Sequence, residues 1–429
     1  MMRALRPSKE VTVKVFVNPC ASAMTVAAAC AFGLALPMAA WADDEPLPLF
    51  LTTSLTLEHD SNFSRTPQAT SETIRSLGLA AGLNKAHGRQ NYLLYGQLTQ
   101  NKYNRYGDLL DNDGKNLNAA FDTEIASNWK AGLGYRYNEN LNAIQDNSNA
   151  LNQRVVRNMR RYRDVNGELR YGVSGRFAVV ASVDQNTLTY SAQPGQNADQ
   201  QSHGIRVQYN PSDLLSFGLG PRWVETEYPN RTTNRKVRDR NLDFTTNWRV
   251  SGISVLTGRL TWGKTRNSDV QEASDAFTGA VGWVYTPRGP LTYSVNWSRA
   301  TDTDRLQESQ YVIAGGQLFE TLGSVVDDRI TNTLALGARY KASAKISLGA
   351  GYRHVSYDNS RVGSNAVLRT STTRSSDSNY QALSLDASYQ PMRSLELGCN
   401  WQRYKQTPDL FRIEYKGHAT SCSANFTID

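Results

Sequence analysis

Apolar and polar residues alternate with a period of two through most of this chain, most clearly in the final hairpin, residues 394–428. Such alternation places the two kinds of side chain on opposite faces of an extended strand. The apolar positions of its two arms are Leu395, Leu397, Cys399 and Trp401, then Cys422, Ala424, Phe426 and Ile428. If Leu395 lies opposite Phe426, then Cys399 lies opposite Cys422 on the apolar face. The hairpin therefore predicts two antiparallel strands with one apolar face and one polar face.

The N-terminal 42 residues have a different character. A basic segment is followed by a short Ala-rich apolar run, 23–36, and then by small residues at Ala40 and Ala42. This order is typical of a secretory signal peptide. A transmembrane anchor is the alternative, but Pro37 ends the run and the run is short for a bilayer span. We therefore expect a signal peptide over 1–42 and one domain over 43–429.

The exported part of the chain keeps two cysteines, Cys399 and Cys422. Their predicted cross-strand pairing and the oxidising compartment implied by export favour a disulfide bond. The two are far apart in sequence and form no CxxC pair, so we expect a structural bond rather than a redox site.

Short turns and longer polar connections alternate along the chain. Short turns are expected near 86–89, 126–128, 172–175, 210–213, 250–252, 287–290, 342–344 and 391–394. Longer connections are expected near 61–70, 106–114, 142–156, 191–200, 229–235, 267–273, 301–327, 360–376 and 405–416. This punctuation predicts about 18 strands, with 16–18 as the range.

A soluble β-sandwich would also show alternating strands, because one face packs on a core. Three features favour a membrane barrel instead: aromatic residues gather at the strand ends, the polar face is rich in Arg and Gly, and the strands are long. A propeller would need a blade repeat at fixed spacing, which the sequence lacks. The mean hydropathy of −0.52 excludes a conventional helical membrane protein. The expected fold is all-β: a transmembrane antiparallel up-and-down β-barrel.

The polar face of such a barrel borders water, so its charged residues are the candidate pore lining. The basic candidates are Lys130, Arg136, Arg170, Arg176, Arg206, Arg222, Arg249, Arg259, Arg339 and Arg353. The acidic candidates are Asp164, Glu168, Asp184, Asp243, Asp386 and Glu396. One interpretation is a path for a polar, anionic polymer or solute. The other is a wall of mutually paired charges without preference.

The longest predicted connection, 301–327, contains Leu318, Leu322 and Val325 at helical spacing, with Phe319 among them. This spacing indicates a short amphipathic helix folded into the pore as a constriction. A surface loop with its own small apolar cluster is the alternative.

Motifs of catalysis are missing from the sequence. Five histidines occur without metal-ligand spacing, and no nucleophile elbow or phosphate loop is present. His59, Asp60 and Ser61 are triad residue types, but adjacent residues cannot point at one another as a triad requires. We expect no enzyme, no cofactor, no metal and no nucleic-acid partner.

Three stretches carry a family resemblance: LTLEHDSNFSR, SNWKAGLGYRYNENLNAIQDN, and LSLDASYQPMRSLELGCNWQRYKQ with SCSANFTI. They resemble the EpsL-type exosortase-associated exopolysaccharide outer-membrane proteins, within a wider β-barrel porin group. The resemblance implies a barrel that works with polysaccharide machinery and passes the polymer across the outer membrane. The chain ends Phe426-Thr427-Ile428-Asp429, whereas many outer-membrane barrels end on an aromatic residue.

These observations favour an outer-membrane channel for exopolysaccharide export, with lipid, the polymer and periplasmic export machinery as partners. A general or solute-selective porin is the alternative, and a structural or adhesion barrel is a third. We expect both termini on the periplasmic side, with the long connections outside the cell.

Overall fold

A computed structural model describes residues 49–144, 155–173, 175–230, 235–267, 273–314, 317–365, 370–409 and 412–428. The predicted signal peptide, 1–42, lies outside these ranges. No helix in the described ranges is long and apolar enough to cross a bilayer.

Nearly all of the regular structure is extended. The first nine strands are β1 (Leu49–Asp60), β2 (Glu72–His87), β3 (Gln90–Tyr103), β4 (Asn112–Ile125), β5 (Trp129–Leu141), β6 (Met159–Tyr171), β7 (Phe177–Tyr190), β8 (Ala198–Ser212) and β9 (Leu215–Tyr228). The other nine are β10 (Arg235–Val250), β11 (Ser254–Asn267), β12 (Ala273–Tyr285), β13 (Leu291–Ala314), β14 (Gln317–Lys341), β15 (Ile346–Asn365), β16 (Thr370–Met392), β17 (Leu395–Gln406) and β18 (Tyr415–Ile428). A one-turn helix, α1 (Gly107–Leu110), and a 3-10 turn, Pro194–Gln196, lie in two of the connections.

The strands form one closed antiparallel sheet. Each strand pairs with its neighbours in sequence, and β1 closes the ring by pairing with β18, with Leu51 opposite Ile428. Short and longer connections alternate from β1 to β11, whereas β13–β14 and β15–β16 are long hairpins joined over only 315–316 and 366–369. The predicted architecture, an 18-stranded up-and-down barrel of the outer-membrane type, is confirmed. Closure leaves no strand edge unpaired, which a sheet surrounded by lipid requires.

The register assigns every strand residue to one of two faces. On β1, Leu55 and Leu57 are 59% and 52% exposed, whereas Asp60 on the opposite face is 2% exposed. The same alternation continues around the sheet, with Leu133 exposed on β5 and Asp243 buried on β10. We call the apolar, exposed face outward and the other face inward. A large exposed apolar surface is costly in water, so this pattern is typical of a lipid-facing wall.

Aromatic residues border the outward apolar band at both ends. Near the short turns, Trp129 packs on Tyr171 with ring centroids 4.8 Å apart, and Phe177 packs on Tyr209 at 4.9 Å. Towards the long connections, further outward aromatics continue around the sheet; they include Tyr137, Trp223, Trp262, Phe277, Trp297 and Trp401. Two such girdles mark the interfaces of a membrane of roughly 25 Å apolar thickness.

Two predicted connections are wrong. The segments 301–327 and 360–376 belong largely to long hairpins, because β13 and β14 pair from Leu291–Tyr340 to Ala314–Gln317, and β15 and β16 pair as far as Asn365–Thr370. These hairpins continue beyond the apolar band, where both faces of a strand can meet water. A strand in that setting needs no apolar alternation, so the sequence pattern that identified the other strands was absent.

The predicted helix at Leu318, Phe319, Leu322 and Val325 is also wrong. These residues belong to β14, where Leu322 lies opposite Ser309 of β13. Backbone pairing across the hairpin satisfies the groups that a helix would have satisfied internally. The side chains at these positions lie outside the part of the chain that the structure describes, so a constriction here stays a prediction.

Candidate functional site

The inward face of the barrel holds the charged residues that the sequence singled out. The register places the following on this face: Lys130, Arg136, Arg170, Arg206, Arg222, Arg249, Arg259, Arg339 and Arg353, with Asp164, Glu168, Asp184, Asp243, Asp386 and Glu396. Arg176 differs, because it lies in the short turn just before β7. The part these residues play in permeation stays a prediction.

Asp243 is the centre of an inward ion-pair network that joins three adjacent strands. Its carboxylate accepts hydrogen bonds from Arg222 Nε at 2.7 Å and from Arg222 Nη2 at 3.3 Å. Thr261 Oγ1 donates a third bond at 2.8 Å, and Arg259 Nε lies 3.9 Å away. Asp243 is only 5% exposed, so this two-pronged pair is shielded from solvent. Three adjacent strands are therefore tied together by one buried carboxylate.

Two further ion pairs among the predicted lining residues are looser. Arg206 lies 3.8 Å from Glu168, and Arg339 lies 3.4 Å from Asp386. By contrast, Lys130, Arg136, Arg170 and Arg249 form no ion pair with any residue in the described ranges. The inward face therefore combines paired charges with cations that have no acidic partner in the described ranges. Neither a wall of mutually paired charges nor a uniformly basic path accounts for the whole face.

Glycine opposite an inward acid makes room for its side chain. A Cβ on Gly349 would lie 2.2 Å from Asp386 Oδ1, which is far inside van der Waals contact. Gly132 has the same relation to Asp122, at 2.8 Å. The high glycine content of the polar face is explained at these positions by the close approach of neighbouring carboxylates.

At the end with the long connections, segment 61–71 folds against the inward face. The Arg65 guanidinium pairs with Asp60 at 2.7 Å and lies over the Tyr404 ring, 4.0 Å from its centroid. The Tyr415 ring centroid lies 5.8 Å from the same guanidinium, and the Tyr404 hydroxyl donates to Asp60. Burial works to lower the pKa of Arg65, but Asp60 and the two tyrosines outweigh it and raise the pKa. We call this cluster the first clamp.

A second clamp holds residues 407–409 and 412–414. Asp409 Oδ2 accepts hydrogen bonds from Asn359 Nδ2 at 2.8 Å and Ser378 Oγ at 2.7 Å. Arg412 Nη1 lies 3.2 Å from the same oxygen, and its guanidinium stacks 3.6 Å over the Tyr357 ring. Both clamps therefore use an arginine placed between a buried carboxylate and an inward tyrosine.

Glu72 orders a third segment at this end. Its carboxylate accepts hydrogen bonds from the backbone amides of Asn104, Arg105 and Tyr106 at 2.9–3.1 Å. Glu72 is 2% exposed. Consecutive backbone amides around one carboxylate fix the chain just after β3.

The sequence interpretation missed both clamps. Tyr404 and Tyr415 occupy positions of the polar, inward face of their strands. An aromatic residue at such a position was the sequence feature that could have indicated a clamp. His59, Asp60 and Ser61 mark the end of β1, as expected, and Asp60 serves the first clamp.

Cys399 and Cys422 form a disulfide bond on the outward face. Within the described ranges, no group of three or more His, Cys, Asp or Glu residues could hold a metal ion.

No protein-family model and no curated protein sequence matches this chain. Similar solved structures include a variant of the ferric enterobactin receptor PfeA from Pseudomonas aeruginosa, at 10% identity and a TM-score of 0.44, covering 90% of this chain and 81% of the receptor. The siderophore receptor PiuA from Acinetobacter baumannii matches at 9% identity and 0.41, covering 90% and 82%. The FrpB iron transporter from Neisseria meningitidis matches at 10% and 0.42, covering 89% and 82%. At this level of similarity the comparison carries no argument about ligand or mechanism.

Proposed function

We propose that this chain is an outer-membrane channel that exports exopolysaccharide. The observation that carries the proposal is the closed 18-stranded wall, apolar outside and polar inside. A barrel of this size is wide enough for an aqueous lumen. The inward hydroxyl, amide and charged groups offer a hydrated polymer hydrogen bonds along its path. The resemblance to EpsL-type proteins supports polysaccharide as the cargo.

The proposed setting is the outer membrane of a Gram-negative bacterium, with both termini in the periplasm and the long connections outside. The periplasmic partner would be the export machinery that delivers the polymer. No catalytic step is assigned to the chain, since its inward polar groups serve as lining and as clamps.

A solute-selective porin is the second candidate. The two clamps favour it, because they hold residues 61–71, 407–409 and 412–414 against the inward face and narrow the long-connection end of the barrel on that side. A narrow mouth suits a small solute better than a polymer, unless the segments move away during export.

Deletion of the gene, with measurement of surface polymer, tests the export proposal. Export predicts that the polymer disappears from the surface and returns on complementation, whereas unchanged secretion would rule export out. Single-channel conductance in planar bilayers tests the channel itself. A heat-modifiable shift on a gel tests the barrel, and its absence would count against the membrane setting.

A further inference from the structure

Charge is segregated between the two faces of four adjacent strands, β17, β18, β1 and β2. Every acidic residue on these strands points inward, and every lysine or arginine points outward. The inward acids are Glu58, Asp60, Glu72 and Glu396. The outward basic residues are Arg75, Lys85, Arg403, Lys405 and Lys416. Mutual pairing cannot explain this arrangement, because the wall itself separates the two signs.

Four of these outward cations lie on the halves of their strands that are nearer the long connections. The apolar band ends here at Leu77 and Trp401; Arg75 and Arg403 stand one outward position beyond it, and Lys405 and Lys416 lie still nearer the long connections. We call them the basic patch. His59 and His418 stand among them on the same face. The patch therefore occupies the level at which lipid headgroups surround a membrane barrel.

The patch lacks the counter-charges that four other outward cations of the rim have. Lys405 lies directly opposite Lys416 in the register, and Arg403 lies opposite His418. Like charges in a cross-strand pair destabilise a sheet unless an anion lies between them. None of the four patch cations forms an ion pair with a residue in the described ranges.

Four outward cations on β4, β6 and β10 differ from the patch in their partners, although Arg240 and Lys264 also stand opposite each other there. On β4–β6, Glu139 lies 3.6 Å from Lys115 and 3.1 Å from Arg161. On β9 and β10, Arg238 pairs with Glu225 at 2.8 Å, and Lys236 pairs with Glu227. Those outward cations have carboxylate partners within the protein. The patch cations are left to a partner outside it.

We propose that the basic patch binds the phosphate headgroups of lipids in the leaflet that surrounds the long-connection end. The acyl chains of such a lipid would lie along the apolar band below Leu77 and Trp401, while its phosphate would lie between Lys405 and Lys416. A phosphate group offers the oxygen acceptors that arginine and lysine bind. The inference depends on the membrane setting proposed above and adds a lipid site on the outer wall.

Trp401 provides a probe, because it is the outward residue next to Arg403 on β17. The full chain is reconstituted in phosphatidylcholine vesicles that contain rising fractions of phosphatidic acid brominated in its acyl chains. The quenching of Trp401 is isolated by comparison with Trp401→Phe. The patch variant carries Arg75→Gln, Arg403→Gln, Lys405→Gln and Lys416→Gln. The matched control carries Lys115→Gln, Arg161→Gln, Lys236→Gln and Arg238→Gln, which removes the same charge from paired sites.

In the original chain, the quenching of Trp401 should be greater than the bulk fraction of phosphatidic acid would produce by random mixing, and it should weaken at high salt. The patch variant should lose on the order of 10- to 100-fold in relative affinity for this lipid, whereas the control should lose little. Equal behaviour of the two variants would overturn the proposal, as would displacement of the lipid by low millimolar inorganic phosphate, which would make free anion the ligand. A parallel set of vesicles carries the bromine on phosphatidylcholine instead. If this lipid fails to quench Trp401 at all, the membrane setting itself is wrong. Quenching by both lipids without preference overturns the patch alone.

Discussion

Cys399 and Cys422 lie directly opposite each other on β17 and β18, with Cα atoms 4.1 Å apart, and a disulfide joins them on the outward face. The bond spans 23 positions of sequence within one hairpin. It lies on the strand pair beside the seam where β18 meets β1 and closes the barrel.

Replacing both cysteines by serine should leave the barrel able to form but less stable. In the chain-entropy account, a closed loop of this length stabilises the folded state by about 3 kcal/mol. The variant should therefore unfold at a lower denaturant concentration while it keeps its heat-modifiable gel shift. Mass spectrometry without reductant should find no free thiol at Cys399 or Cys422. Two free thiols there, or an unchanged unfolding midpoint in the variant, would contradict the structural role.

Arg65→Ala should release segment 61–71 from the inward face. The change leaves Asp60, whose side chain is 3% exposed, without its cation and removes the guanidinium from the Tyr404 ring. We expect a local loss of roughly 2 kcal/mol, because a shielded carboxylate loses its charged partner. Proteases should then cut the segment faster, and single-channel conductance should rise if the segment narrows the mouth.

The control for this variant is Lys102→Ala. Lys102 also pairs with an aspartate, Asp111 at 2.8 Å, but its side chain is 57% exposed. Exposed pairs contribute little, so segment 61–71 should stay protected in this control. Equal cleavage in both variants would show that the clamp does not hold the segment.

Most of the wall could be predicted from the sequence, because a strand between lipid and water must alternate. The pairing of Leu395 with Phe426 and of Cys399 with Cys422 followed from that alternation and is confirmed. The upper parts of β13–β16 could not be found in this way. Beyond the apolar band both faces of a strand meet the same solvent, and the alternation is lost.

The clamps could not be predicted from the sequence for a different reason. Asp60 and Tyr404 are 344 positions apart in sequence, and they meet only because β1 and β18 close the barrel. Parity placed Arg222 and Asp243 on one face, but their contact depends on the register between β9 and β10, in which Asp243 lies opposite Gly220. Local sequence patterns predict which face a residue occupies, whereas contacts between residues of different strands depend on the register of the closed sheet.

Glu72→Gln should loosen the chain just after β3. The neutral side chain keeps one oxygen acceptor, and its NH₂ group faces amides that donate to Glu72 now, at Arg105 and Tyr106. Loss of charge-assisted hydrogen bonds should cost about 1.5–2 kcal/mol, so these two amides should exchange hydrogen roughly 10- to 30-fold faster. Hydrogen exchange with mass spectrometry measures the effect. Unchanged exchange at 104–106, with β3 equally protected, would contradict it.

Asp243→Asn and Arg222→Gln should move the ion selectivity of the channel in opposite directions. Asp243→Asn leaves Arg222 and Arg259 with uncompensated charge on the inward face, which should favour anions. Arg222→Gln removes a cation and should shift selectivity towards cations. Because each change breaks a shielded pair, each should also destabilise the barrel by roughly 2–4 kcal/mol. Reversal potentials in asymmetric potassium chloride measure the selectivity, and denaturant titration measures the stability.

Glu227→Gln is the matched control for Asp243→Asn, since it also removes one carboxylate from an ion pair with a basic residue. Glu227 pairs with Lys236 on the outward face, where the wall separates it from the lumen. Its reversal potential should equal that of the original chain. If Glu227→Gln shifts the selectivity as much as Asp243→Asn does, the charge of the inward network does not determine ion selectivity. If Asp243→Asn and Arg222→Gln shift it in the same direction, the charge at Asp243 does not set selectivity, and the network serves only to hold β9, β10 and β11 together.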